Sequence, residues 1–79
     1  MEARKLIRDA AFDPSQLEII TAAFDGAWQA LEGRFASESE RKLARLKLAT
    51  IILARASAGM LEPEHLKASA IQAMNELLD

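Results

Sequence analysis

The chain contains no cysteine, which excludes disulfides and thiolate metal sites and removes any sign of an oxidising compartment. One histidine alone gives no basis for a structural zinc site. Glycine and proline are scarce, at three and two residues, and the β-branched residues are too few and scattered for strands, so the fold class is all-α. No Gly-rich loop is present to cradle a phosphate. Long apolar runs are missing too. Nothing approaches the ~18 consecutive apolar residues of a membrane span, and the opening MEARKLIRDA lacks the apolar core of a signal peptide. A formal net charge of −2 points neither to nucleic acid nor to a membrane surface. The expectation is a cytoplasmic protein with no cofactor and no membrane partner.

What is present is alanine, leucine and charge, spread over 79 residues. That length makes one domain at most. A chain this short buries only somewhat more than ~60% of its unfolded surface. Its hydrophobic gain then barely offsets roughly 1.5 kcal/mol of ordering entropy per residue. With disulfide and metal staples excluded, association with another chain is the remaining one.

Helix starts are legible. In FDPSQL, Asp13 is placed to cap free N–H groups, Pro14 suits the first helical position, and Gln16 stands where a capping box reaches back. Phe12 and Leu17 flank this cap as a hydrophobic staple. LEPEHL repeats the device, with Glu62 as a poorer cap ahead of Pro63. Ser37 and Glu40 complete an S-x-x-E signal for the middle helix. Gly33 and Gly59 stand where helices should end in a left-handed residue. These signals predict helices at about 14–32, 38–58 and 63–78, joined by connections short enough for an antiparallel three-helix bundle. Residues 13–79 would form the single domain. Residues 1–12 would form a prelude, a short helix or arm with Ala3, Leu6, Ile7 and Ala10 on one side.

The faces follow from helical spacing. On the first helix Leu17, Ile20, Phe24, Ala27, Trp28 and Leu31 make one apolar stripe, with Phe35 extending it past the turn. Trp28 reads as a core residue with its N–H at the edge. Gly26 in mid-helix costs about 1 kcal/mol against Ala, so close approach by another helix is expected there. The third helix gathers Leu66, Ala70, Ala73, Met74 and Leu77, widened by Ile71 and Leu78. The middle helix carries RKLARLKLATIILARA and is apolar on two sides. Leu43, Leu46 and Leu53 are expected in the core, with Thr50 and Ser57 in the same stripe bonding back to their own helix. Ala44, Leu48, Ile51, Ile52 and Arg55 lie round the back. A helix apolar on both sides is normally buried on both, so this back is the expected dimer interface, covered by a second copy of the chain or else by Leu6 and Ile7.

Chemistry-bearing motifs are few. Glu62 and His65 spell Glu-x-x-His, the ligand spacing of di-iron bundles, but the motif occurs once, beside a proline at a helix start, and reads as a cap. No His–carboxylate or carboxylate pair is placed for acid–base work, so no catalytic or metal residue is expected and the protein is read as not an enzyme. Arg34, Arg41, Lys42, Arg45 and Lys47 form a candidate basic patch around the middle helix. A basic helix can enter a DNA groove. This one also carries Leu48 and Ile52, lacks aromatic interleaving for single strands, and reads better as a solvated or ion-paired face. Nucleic acid is therefore not the expected partner.

AFDPSQLEIITAAFDGAW, followed by a Leu/Ala/Arg-rich helix and EPEHLKASAI, resembles a set of short bacterial helical proteins of alphaproteobacterial type. They start a helix with Phe-Asp-Pro and continue to Phe/Leu-Asp-x-Ala-Trp. The resemblance covers most of the chain after residue 11 and rests on capping and packing residues. It implies a bacterial origin and no chemistry. The expected function is a non-enzymatic helical protein–protein interaction or regulatory module acting as a homodimer, with an unidentified protein partner possible. The rival is a small nucleic-acid-associated protein using the basic middle helix.

Overall fold

A computed structural model describes residues 12–78. Three helices account for nearly all of them: α1 (Pro14–Leu31), α2 (Glu38–Ser57) and α3 (Pro63–Leu78), with a 3-10 turn at Glu32–Arg34. There is no strand among the described residues. Each boundary falls within a residue of its expected place. The expected prelude, apart from Phe12, lies outside the described residues.

The starts form as their side chains dictate. The Asp13 carboxylate accepts the Gln16 N–H at 2.9 Å, and the Gln16 side chain accepts the Asp13 N–H at 3.1 Å, a complete capping box. At α2 the Ser37 hydroxyl accepts the Glu40 N–H at 3.1 Å. The Glu40 carboxylate reaches one residue further back than a box requires and accepts the Ala36 N–H at 3.2 Å. At α3 the Glu62 carboxylate accepts the His65 N–H at 2.8 Å. Each bond satisfies a backbone N–H that the first turn leaves without an intrahelical partner.

The ends differ from one another. Gly59 is left-handed, with φ of 102°. The Met60 N–H reaches the Arg55 carbonyl and the Gly59 N–H the Ala56 carbonyl, which is a Schellman ending. Gly33 does not take the expected left-handed conformation. Instead α1 tightens into the 3-10 turn, and the Phe35 N–H bonds the Glu32 carbonyl at 3.2 Å. A right-handed exit already satisfies the carbonyls there, so nothing at this position requires a glycine. Gly26 does face a close neighbour. A Cβ there would sit 2.7 Å from the Lys67 Cδ, because the stem of that α3 lysine crosses the α1 backbone.

All three helices feed one core. It comprises Ile20, Ala23, Phe24, Ala27 and Leu31 of α1, Phe35 after the turn, Ala44, Leu48, Ala49, Ile52 and Ala56 of α2, and Leu66, Ala70 and Met74 of α3. Leu17, Trp28 and Leu53 pack half-buried against it. The expected faces of α2 are thus exchanged. Leu48 and Ile52 are 0% exposed within a single chain, whereas Leu43 and Leu46, expected inside, are 62% and 41% exposed. The reason is size. Ala44, Ala49 and Ala56 let α1 and α3 approach the α2 backbone closely, and Leu48 and Ile52 fill the space between, each worth roughly 1.5–3 kcal/mol on burial. The opposite stripe carries Thr50 and Ser57, both exposed, and the Thr50 hydroxyl donates to the Leu46 carbonyl at 2.9 Å. No polar or charged residue is buried among the described residues.

Candidate functional site

The core consumes the surface expected to join two chains. Ala44, Leu48 and Ile52 are inside it, Ile51 packs half-buried against it, and the Nε of Arg55 is buried without a hydrogen-bond partner. The back of α2 therefore has its cover within one chain.

The basic residues do not form one patch. Arg41 and Arg45 both approach Glu38, at 3.8 and 3.5 Å. Arg45 also lies over Trp28, 5.4 Å from the ring centroid, a cation–π distance. Trp28 in turn stacks on Phe35, with centroids 5.8 Å apart, so its ring already holds two of the chain's own groups. Arg34 donates to the side-chain carbonyl of Asn75. Lys42 and Lys47 are exposed. Residues 45 and 47 are separated by about 160° around the helix, so Lys47 points away from the Arg45–Trp28 cluster. His65 is exposed, and Glu62 serves its backbone as a cap. Among the described residues no group of three or more side chains is placed to hold a metal ion, and no helix is long and apolar enough to cross a membrane.

What the fold does assemble is an apolar cleft of about 350 Å³ between the start of α2 and the end of α3. Phe35, Leu43, Ala44, Met74, Leu77 and Leu78 line it with carbon, and Arg34, Glu40 and Lys47 supply its charged groups. Leu77 and Leu78 are 63% and 41% exposed. Leu77 continues the Leu66–Ala70–Met74 stripe, but in the last turn of α3, where burial has ended. Leu43 faces it from the first turns of α2, and Leu46 lies one turn further along. These four leucines are the exposed large hydrophobics of the described chain. Sequence periodicity assigned all four to apolar sides without showing that Leu43, Leu77 and Leu78 emerge at one cleft. For Leu43, Leu77 and Leu78 the available signal was a position near a helix terminus, where a stripe outruns the element facing it.

The polar groups of the cleft are partly committed. One Glu40 oxygen takes the Ala36 N–H and Arg34 holds Asn75. Lys47 has no ion pair with the described residues. The arrangement offers an apolar seat with both signs of charge beside it. Comparison with known protein families, with curated proteins and with solved structures finds no match.

Proposed function

We propose that the protein is a non-enzymatic helical interaction module that acts as a homodimer, and that its pairing surface is the leucine-lined cleft between α2 and α3. One observation carries this reading: the exposed Leu43, Leu77 and Leu78 line a single cleft together with Phe35 and Met74. Single exposed leucines need no explanation, whereas a contiguous apolar patch rimmed by polar groups marks a surface that another molecule covers. The size of the chain adds to it, since a thin core gains from further burial by association. An antiparallel order of consecutive helices is part of the proposal. It is supported by the meeting of the α2 start with the α3 end and of Phe12 and Gln16 with Leu53, Ala56 and Ser57 at the α2 end.

Sedimentation equilibrium at micromolar concentration tests the reading and should return twice the chain mass. Leu77→Glu should return the monomer mass with helical content intact, because the wild-type side chain is mostly in water and contributes little to the fold. A wild-type chain that stays monomeric at high concentration overturns the proposal.

A further inference from the structure

We infer that the dimer is two-fold symmetric about an axis passing between Leu43 and Ala44, with Glu40 of each copy facing the partner's Lys47; the inference rests on the homodimer reading and adds its register. Glu40 and Lys47 are one heptad apart. Seven residues advance a helix about 10.5 Å and turn it to within about 20° of the starting direction. The two charges therefore lie on one line along α2, too far apart to pair within a chain. Midway between them, both along the axis and around it, come Leu43 and Ala44. All four residues line the same cleft.

That pattern has the symmetry an isologous contact needs. In a two-fold interface, residue i meets residue j while j meets i. Along this line of α2 an anion at one end, a cation at the other and carbon between them become their own complement when turned by a half-rotation, while Arg34, the cleft's other cation, is held by Asn75. Parallel stacking of two copies would instead set carboxylate on carboxylate and ammonium on ammonium. The half-rotation also sets the protruding Leu43 of each copy beside its own equivalent and turns the two clefts, with Leu77 and Leu78, toward one another.

Both charged groups are available for this role. Glu40 uses one carboxylate oxygen for the Ala36 N–H, leaving the second free to accept from an ammonium. Lys47 is exposed and has no ion pair with the described residues. An exposed pair of this kind adds little affinity by itself. It fixes register and rejects the wrong pairing, as flanking charges do in paired helices.

The test is a charge exchange read by sedimentation on the full chain, with circular dichroism as a check on folding. Lys47→Glu places carboxylates against carboxylates at two symmetric contacts and should raise the dimer dissociation constant about tenfold or more. Glu40→Lys should do the same with ammonium groups. Mixing the two single variants restores an opposite-charge contact at both places, so a heterodimer should form at concentrations where each variant alone is monomeric. A wild-type dimer that Lys47→Glu leaves equally tight, or a mixture with no preference for the heterodimer, overturns the register while leaving the homodimer standing. A monomeric wild type overturns both.

Discussion

At the scale of single residues, the chain is governed by a few side chains that finish what the backbone cannot. Asp13, Ser37 and Glu62 each take an orphan N–H at a helix start, and each was legible because the partner must lie three residues on. Asp13 is the most committed. Its carboxylate accepts from the Gln16 backbone N–H and from the Ser15 hydroxyl at 3.0 Å, and these bonds hold its pKa below the ordinary 3.8. A carboxyl group lowered on folding contributes stability that is present above its unfolded value and lost as pH falls through the folded one. An NMR titration should therefore place the Asp13 midpoint below 3.8, with the Gln16 amide following the same curve. Asp13→Asn keeps an acceptor at this cap and should abolish that titration of the amide. An Asp13 midpoint at or above the ordinary value would show that the capping bonds are not maintained in solution. Gly33 marks where reading by residue fails. A glycine after a helix permits a left-handed exit without imposing one, and the 3-10 turn closed the helix first.

At the scale of elements, the three helices were readable to within a residue because start signals and apolar spacing agree for each. The faces of α2 were not. Both sides carry large aliphatic residues, and counting leucines favours the stripe through Leu43, Leu46 and Leu53. The better guide is what stands between them. Alanines at 44, 49 and 56 permit close helix contact, while Thr50 and Ser57 belong with water. Leu46 and Leu48 distinguish the two readings directly, since two residues of helix turn a side chain by 200°. Leu48→Ala should cost about 2–5 kcal/mol, because it empties a fully buried site. Leu46→Ala should cost less than about 1 kcal/mol, because its side chain is already 41% exposed. Urea unfolding of the two variants measures the difference, and equal losses would mean that the faces are again misassigned.

At the scale of the whole molecule, the cleft could not be read from the sequence because it joins residues 34–47 to residues 74–78. Only the folded order of helix ends says that Leu43 and Leu77 are neighbours. The same holds for the cations, which look continuous along residues 34–47 and are distributed around the helix in space. Nucleic-acid binding draws its strength from phosphate contacts made together, each releasing a counterion and steepening the dependence on salt. Arg41 and Arg45 share Glu38, Arg34 is held by Asn75, and Lys47 faces the cleft. A duplex laid along any one side of α2 would meet only part of this charge, and the chain as a whole carries −2. Fluorescence anisotropy with a labelled duplex at physiological salt should therefore show no binding tighter than ~10 μM, weaker than specific sites achieve. Replacing Arg41, Lys42 and Arg45 together by Gln should leave that result unchanged. A nanomolar complex that weakens steeply with salt and is lost in the triple variant would show that these cations act together on a phosphate backbone, and would place the function of α2 on its Arg41–Arg45 side instead of at the cleft.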